Sequence, residues 1–264
     1  MLKRTAMLLN FFLFIALIWG CGRGKTSITL AGSTAFQPFA EKLAEQYMLV
    51  HNNVSITVQG GGSAVGVQSA ISGAAQIGMA DLVVLPEEAK VLTATVVARD
   101  GIAVVLNPAN KVANLITQQV QDIFNGKIKN WKEVGGANAP ITVVSREAGS
   151  GTRSSFEQIL VNINLTKDAL IQDSNGTIRE TVANDPNAIG YLSHGLLNEK
   201  IKAIKIDEQE CSGESITAGR YKLVRPIFLL VKGDPQGEIK KFIDYILSAD
   251  GQETLKANGL MPAK

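Results

Sequence analysis

Arg146 and several small or hydroxyl-bearing residues stand together within 145–153, where the sequence reads SREAGSGTR. Apolar residues recur at helical spacing from Phe156 to Ile163, which predicts a helix that begins near Thr152. The first amides of a helix lack partners within it, and the positive end of the helix dipole lies beside them. These amides, the hydroxyl groups and the guanidinium of Arg146 are all donors that suit an oxyanion, so the segment has the chemistry of an anion site.

Two other segments repeat this order of strand, small-residue turn and helix. The turn at 32–34 (GST) follows a strand-like stretch at 28–30, and the turn at 60–63 (GGGS) follows a strand-like stretch that begins at Val54. Each turn places a serine or threonine where the N-cap of the next helix belongs. Ordinary capped helices are the alternative explanation, but a nearby arginine and an aspartate at the end of the segment IGMAD favour an anion site.

Five short motifs carry a resemblance to a known family. They are 31–34 (AGST), 59–63 (QGGGS), 77–81 (IGMAD), 122–131 (DIFNGKIKNW) and 146–153 (REAGSGTR). In order and spacing they resemble the phosphate-binding proteins that serve bacterial phosphate ABC transporters. The match runs from about residue 28 to the C-terminus and includes the late segments RPIFL and ADGQ. It implies an α/β, two-lobe fold of the periplasmic-binding-protein type II class, with the ligand cleft between the lobes.

The resemblance also implies a shell of residues around a bound phosphate. Matched residue by residue, this shell consists of Thr34, Ala35 through its amide, Ser63, Asp81, Arg146, Ser150, Gly151 and Thr152. The arginine would supply a bidentate fork for two phosphate oxygens. The residue before the family aspartate is often serine, whereas this chain has Ala80, which removes one auxiliary donor.

Asp81 is the most discriminating residue of this shell. A carboxylate repels a dianion unless a proton lies between them, so we expect Asp81 to accept the hydroxyl of monoprotonated phosphate. Sulfate is fully deprotonated at neutral pH, and an unpaired carboxylate aimed at it would stay buried without a partner. A cap for the segment near Pro86 is the alternative role of Asp81. Glu147, which either holds Arg146 or faces water, and Arg153 stay outside the predicted shell.

Strand-like and helix-like segments alternate along the chain after residue 26. The sequence predicts strands at 27–30, 55–58, 102–106, 141–144, 189–192, 203–206 and 227–231. It predicts helices at 35–51, 64–72, 117–124, 152–161, 175–184 and 238–248. Such alternation favours an α/β chain whose sheets are dominated by parallel strands.

The family resemblance implies where each lobe begins and ends. Two strands, one that ends near 107 and one that begins near 225, would cross between the lobes. The first lobe would then comprise 27–107 and 225–264, and the second 108–224. A ligand held between such lobes lies where pockets commonly form.

The N-terminus predicts export. Two basic residues precede an apolar run from Ala6 to Trp19, which is shorter than the ~20 residues of a membrane-spanning helix. We therefore interpret 1–20 as a lipoprotein-type signal peptide rather than as an anchor. The sequence IWGC resembles a bacterial lipobox, with Trp19 in place of the usual small residue, and implies lipidation of Cys21. Residues 21–26 would then form a tether.

Composition excludes several function classes. The chain has 264 residues, of which 45% are hydrophobic and 19% charged, and a net charge of +2. Such a chain buries a sizeable core and lacks the basic surface that nucleic-acid partners require. The only two histidines, His51 and His194, stand in polar turn-like segments, and Cys21 and Cys211 form no paired ligand motif. We expect a monomer with no cofactor and no metal site.

These inferences converge on a solute-binding protein that captures inorganic phosphate outside the cytoplasm and delivers it to the permease subunits of an ABC transporter. It would be periplasmic or held at the outer face of the cytoplasmic membrane by a lipid on Cys21. The runner-up is an exported phosphoryl-transfer or hydrolytic enzyme with Ser150 as nucleophile, although no general base accompanies that serine. A binder of sulfate or another oxyanion is a third hypothesis, which Asp81 disfavours.

Overall fold

The computed structural model describes residues 25–263. The predicted signal peptide at 1–20, the lipidation site Cys21 and most of the predicted tether lie outside the described residues. The last residue of that tether, Thr26, already belongs to the first strand. None of the helices in the described range is long and apolar enough to span a membrane.

The strands of the described residues form one large sheet and one small one. They are β1 (Thr26–Gly32), β2 (Val54–Gln59), β3 (Ile77–Ala80), β4 (Leu92–Leu106), β5 (Asn114–Leu115), β6 (Thr142–Arg146), β7 (Leu170–Gln172), β8 (Ala188–Ser193), β9 (Lys202–Ala203), β10 (Lys205–Ile206), β11 (Val224–Lys232) and β12 (Met261–Pro262). The large sheet has the order β2-β1-β3-β11-β4-β8-β6-β7, with β9 and β12 also paired to β4. The long strands β4 and β11 therefore lie in its middle and join its two halves.

The sheet is mixed, which corrects the expectation that parallel strands dominate. Parallel pairs lie within each half, where β1 pairs with β2 and β3, and β6 pairs with β7 and β8. Every antiparallel pair of the large sheet involves β4 or β11. Helical crossovers within a half return the chain in the same direction, whereas β4 and β11 carry it from one half to the other and back.

Helices follow the strands along the chain. They are α1 (Gln37–Val50), α2 (Ser63–Ser72), α3 (Thr117–Phe124), α4 (Gly151–Leu160), α5 (Asn175–Asn184), α6 (Gly213–Thr217), α7 (Gly237–Leu247) and α8 (Ala249–Ala257). Among the six helices predicted one by one, α3 and α5 have the predicted bounds, and the others differ by one or two residues. Apolar periodicity and polar caps are local signals, so they locate helices well.

The strand predictions fail where the local pattern is weak. The predicted strand at 203–206 is divided between β9 and β10, which belong to different sheets. The strand predictions also omitted the first part of β4 and the whole of β3, β5, β7 and β12. All four residues of β3 are buried, so they show no alternation of polar and apolar side chains.

Hydrophobic side chains form two main cores, one in each half of the sheet. The first core draws its residues from 28–98 and 227–260. The second draws its residues from 102–223, together with Met261. The chain passes between these cores along β4 and β11, and the turns that the sequence singled out meet across the junction.

Candidate anion-binding site

The turn after β1 has a backbone conformation that suits glycine. Gly32 has a φ of 132°, and a Cβ there would collide with the backbone of β3. Ser33 Oγ accepts a hydrogen bond from the amide of Phe36 at 3.1 Å. Thr34 and the buried Ala35 lie between the end of the strand and the start of α1.

Ser63 and Asp81 form a buried pair on the same side of the junction. Ser63 opens α2, and Asp81 follows β3. Ser63 Oγ donates to Asp81 Oδ1 at 2.6 Å and accepts from the Asp81 amide at 3.0 Å. Each residue is only 1% exposed, so solvent does not compete for these hydrogen bonds.

The guanidinium of Arg146, at the end of β6, is buried and only partly paired. The residue is 1% exposed. Its Nε and Nη2 each donate to an oxygen of Glu147 at 2.8 Å, and Nη2 also lies 3.2 Å from the carbonyl oxygen of Asp173. Nη1 has no hydrogen-bond partner among the described residues. An unpaired buried donor of a charged group is costly, so this atom indicates where an anion would bind.

The N-terminus of α4 follows Arg146 closely in the chain and adds neutral donors. Ser150 is the N-cap, and its Oγ accepts from the amide of Arg153 at 3.2 Å. The amides of Gly151 and Thr152 form no hydrogen bond within the described part of the chain. As the first amides of the helix they have no intrahelical acceptor, and the positive end of the helix dipole lies there.

The two halves of the molecule meet at Asp81. Thr152 Oγ1 donates to Asp81 Oδ2 at 3.0 Å, and Ser155 Oγ donates to the Asp81 carbonyl oxygen at 3.1 Å. A Cβ on Gly151 would lie 2.6 Å from Asp81 Oδ1, so a larger residue has no room there. The halves are therefore closed on each other at this point.

The structure brings most of the predicted shell together. Thr34 Oγ1 lies 3.1 Å from Asn175 Nδ2, and the same nitrogen lies 3.4 Å from Thr152 Oγ1. Thr34 is thus connected through one amide to the hydroxyl that binds Asp81. Ala35 is buried in the Thr34 turn, and its amide, the predicted donor, forms no hydrogen bond within the described residues.

Of the three segments with this order of strand, turn and helix, only 145–153 has a hydroxyl residue at the N-cap of its helix. Ser150 caps α4, but the N-cap residues of α1 and α2 are Phe36 and Gly62, and neither provides a side-chain cap. Ser63 is the first residue of its helix, and its hydroxyl is already engaged by Asp81. The predicted N-cap position of Ser63 was right to within one residue, but the tertiary contact with Asp81 determines how its hydroxyl is used.

The carboxylate of Asp81 is not unpaired, which corrects the sequence-based expectation. Besides its hydrogen bonds with Ser63 and Thr152, the carboxylate contacts the guanidinium of Arg225, whose Nη1 lies 3.0 Å from Asp81 Oδ2. The angle is not that of a hydrogen bond, so this contact is an ion pair only. The alternative role as a cap near Pro86 is not observed, since both carboxylate oxygens bind elsewhere.

Glu147 and Arg153 support Arg146 from outside the predicted shell. Of the two roles considered for Glu147, the structure has the one in which it holds the guanidinium. Arg153 Nη1 donates to the Arg146 carbonyl oxygen at 2.9 Å, and its Nε donates to Glu157 at 2.7 Å. Both residues therefore fix the geometry of the arginine.

The histidines have structural contacts. The His51 ring stacks on Tyr47, with ring centroids 3.8 Å apart, and His194 Nδ1 lies 2.9 Å from the carbonyl oxygen of Gly259. Neither of these rings, both within the described range, forms a hydrogen bond with Ser150. The hydroxyl of Ser150 is engaged as a helix cap.

Comparison with known proteins identifies the family. Residues 21–250 match the family model of a PBP superfamily domain. The phosphate-binding protein PstS of Bacillus subtilis (strain 168) is 35% identical over 233 residues, which cover 87% of this chain and 78% of the relative. The chain belongs to the PstS family of phosphate-binding proteins. A second PstS, from Borreliella burgdorferi, is 25% identical and covers 99% of both chains.

Solved structures of phosphate-transport proteins superpose on this fold. A phosphate ABC transporter substrate-binding protein from Clostridium perfringens, solved with bound phosphate, has a TM-score of 0.87 and 38% identity over 90% of this chain and 100% of that chain. An ABC-type phosphate transport receptor from Vibrio cholerae has a TM-score of 0.74 and 34% identity over 89% and 99%. The predicted two-lobe, type II fold with its cleft between the lobes is thereby confirmed.

A buried ion-pair cluster in this PstS-family site was not predicted from the sequence. Arg225 lies on β11 and Asp100 on β4, and Arg225 Nη2 donates to Asp100 Oδ2 at 2.9 Å. Ser193 Oγ donates to Asp100 Oδ1 at 2.9 Å. Burial raises the pKa of Asp100, whereas the charge of Arg225 and the hydrogen bonds from Ser193 and Arg225 lower this pKa. A lone arginine in the otherwise apolar strand RPIFL is the signal that identifies such a residue.

Asn175 is the second residue that sequence analysis missed. The sequence predicted it only as the first residue of a helix, and α5 does begin there. Its side chain is buried and contacts both halves of the PstS-family site. Asparagine is common at helix starts, so the sequence alone offers no signal of this further role.

Proposed function

We propose that this protein captures inorganic phosphate outside the cytoplasm and delivers it to the permease subunits of an ABC transporter. The observation that carries the proposal is Arg146 Nη1, a buried cationic donor without a partner among the described residues. An oxyanion bound at this atom would accept hydrogen bonds from it and from the unpaired first amides of α4. The relatives from Bacillus subtilis and Clostridium perfringens, named for phosphate, support the choice of anion.

The proposed phosphate shell keeps the residues that the sequence predicted. It consists of Thr34, the amide of Ala35, Ser63, Asp81, Arg146, Ser150, Gly151 and Thr152. In Ser150, the hydroxyl oxygen already accepts from the Arg153 amide, so the hydroxyl hydrogen remains available to donate to an anion. Arg146 is paired with Glu147, so the anion would be held mainly by neutral hydrogen bonds and by Nη1 of one guanidinium.

Asp81 retains the capacity to accept a proton from the ligand. A carboxylate has about four lone-pair sites, and the hydrogen bonds from Ser63 and Thr152 use two of them. Oδ1 accepts from Ser63 alone, so Oδ1 is the atom that would receive the phosphate hydroxyl. Sulfate brings no such proton and would leave this acceptor facing an anion.

We propose binding without turnover. In the described residues, Ser150 serves as a helix cap and has no histidine partner, which supports a binder over a hydrolytic enzyme that uses this serine. Incubation with a generic phosphomonoester separates the two functions. We expect no turnover above that of Ser150→Ala, and activity that disappears in this variant would favour the enzyme.

The proposed cellular arrangement follows from the N-terminus and the two cores. Residues 1–20 would be removed as a signal peptide, Cys21 would be lipidated, and 21–26 would tether a monomer in the periplasm or at the outer face of the membrane. The proposed lobes are 27–107 with 225–264, and 108–224. The separation of the two hydrophobic cores along nearly the same bounds supports this division.

Calorimetry with three anions tests the proposed function. The mature chain, stripped of carried-over ligand, is titrated with phosphate, arsenate and sulfate. We expect phosphate and arsenate to bind and sulfate to bind weaker by on the order of a hundredfold or more, because an unsatisfied buried acceptor costs several kcal/mol against a charged ligand. Absence of phosphate binding, or equal binding of sulfate, contradicts the proposal.

A further inference from the structure

Asn175 is a buried amide that connects the two lobes across the cleft. It is 1% exposed. Its Nδ2 lies 3.1 Å from Thr34 Oγ1 and 3.4 Å from Thr152 Oγ1, and its backbone amide lies 3.4 Å from Thr34 Oγ1. Its Oδ1 accepts from the backbone amide of Ser193 at 3.0 Å. Thr34 lies on the side of the cleft that contains the first core, whereas Thr152 and Ser193 lie on the opposite side.

The contact with Ser193 decides which way the Asn175 side chain points. A backbone N–H can only donate, so the side-chain atom that faces it must be the oxygen. The nitrogen then faces Thr34 and Thr152, where it can only donate. The start of α5 is itself held by Ser174, whose Oγ accepts from the amide of Thr177 at 3.1 Å.

These contacts determine how the Thr34 hydroxyl is used. A hydroxyl oxygen has two lone pairs and one hydrogen. The side-chain and backbone N–H groups of Asn175 approach the Thr34 oxygen and occupy both lone pairs. Thr34 can then act toward a ligand only as a donor, which is the role that an oxyanion requires.

We propose that Asn175 is a positioning residue that clasps the closed cleft, orients the Thr34 hydroxyl toward the anion and slows its release. The inference rests on the proposed phosphate-binding function. Asn175 and Thr34 lie on opposite sides of the cleft, so their hydrogen bonds exist only when the lobes are closed. The clasp therefore acts on the dissociation rate and leaves the encounter with the anion unaffected.

Asn175→Ala tests the clasp by separating release from capture. Loss of radiolabelled phosphate after a chase with unlabelled phosphate measures koff, and calorimetry supplies Kd. We expect koff to rise about tenfold, as for the loss of roughly one hydrogen bond, and kon to change by less than about twofold. An unchanged koff overturns the proposal.

Val182→Ala is the matched control on the same helix. Val182 is fully buried in the second core, which includes none of the proposed shell residues. Its truncation lowers Tm through lost packing, and we expect koff to remain that of the parent. A rise in koff equal to that of Asn175→Ala would mean that general loosening of α5 explains the effect, which overturns the clasp.

A double-mutant cycle tests whether Asn175 acts through Thr34. Thr34→Val removes the hydroxyl that Asn175 orients. In this background we expect Asn175→Ala to change Kd by less than about twofold further, because its partner is already absent. A full and independent loss of affinity in both backgrounds contradicts the proposed route.

Asn175→Asp keeps the test decisive if the alanine variant fails to fold. The aspartate retains the acceptor for the Ser193 amide and lacks both side-chain donors. We expect faster phosphate release in this variant too, and unaltered release overturns the clasp. Failure of the parent protein to bind phosphate would instead refute the proposed function, so the two failures are distinguishable.

Discussion

At the scale of single residues, the site depends on Arg146. Its guanidinium is held on one edge by Glu147 and by the carbonyl oxygen of Asp173, and this leaves Nη1 free of protein partners in the described structure. A planar fork can pair with a carboxylate on one edge and with an oxyanion on the other. A point charge on a flexible chain cannot do both.

Arg146→Lys should weaken phosphate binding by about 1.5 to 3 kcal/mol, the usual effect of losing a charged hydrogen bond. Calorimetry of the stripped proteins measures this loss. Arg153→Lys makes the same change in an arginine outside the proposed shell, and we expect it to have a much smaller effect. Phosphate affinity equal to that of the parent in both Arg146→Lys and Arg146→Ala would remove this residue from the site.

Selectivity is a second property at the residue scale, and we assign it to Asp81. Asp81→Asn replaces a pure acceptor by a side chain that can also donate, so sulfate should bind better than it does to the parent. Phosphate affinity should fall by no more than about 1.5 to 3 kcal/mol. Titration of parent and variant with both anions measures the preference.

Asp100→Asn is the control for the ion pair with Arg225. It also removes a carboxylate from that guanidinium but leaves Asp81 in place. We expect this variant to keep the preference for phosphate over sulfate. If Asp81→Asn keeps the parental preference as well, discrimination resides in other residues.

At the scale of elements, the N-terminus of α4 must approach the opposite lobe closely. A Cβ on Gly151 would lie 2.6 Å from Asp81 Oδ1 and would also collide with Ser63 Oγ. Glycine at this position therefore serves the contact between lobes. It does not serve the helix, because alanine forms helices more readily than glycine.

Gly151→Ala should leave the fold at least as stable and weaken phosphate binding by about tenfold or more, because the added methyl group keeps α4 away from Asp81. Thermal unfolding and calorimetry measure the two effects. Gly176→Ala is the control near the start of α5, where the nearest heavy atom to an added Cβ is Ser174 Oγ at 3.7 Å. Parental affinity in Gly151→Ala would show that the lobes need not approach as closely as they do here.

At the scale of the whole molecule, the contacts between lobes describe a closed state. The Ala64 amide donates to the Gly149 carbonyl oxygen at 3.1 Å, and the Val83 amide lies 3.2 Å from Ser155 Oγ. A ligand that contacts both lobes stabilises this state over an open one. The strands β4 and β11 are the connections about which the lobes would move.

Small-angle X-ray scattering should therefore give a smaller radius of gyration with saturating phosphate than without it. Gly151→Ala, in which α4 is kept away from Asp81, should show a smaller contraction. Identical profiles of the parent protein with and without phosphate would count against a hinged two-lobe binder.

Local signals were sufficient for much of the fold and for the outline of the site. The helices α3 and α5 have the bounds that apolar spacing and polar caps predicted, since these signals lie within one element. The donors at 145–153 indicated an anion site by the same local reasoning, whereas the resemblance of the motifs to a known family placed Asp81 and Arg146 in one predicted shell.

Only the tertiary structure decided which groups these residues use as partners. Asn175 is separated from Thr34 by 141 positions, and Arg225 from Asp100 by 125. No periodicity or cap extends over such distances, so these contacts exist only because β4 and β11 bring the two halves together. Each local motif determines which donors and acceptors are present, and burial against the opposite lobe determines which of them remain available for an anion.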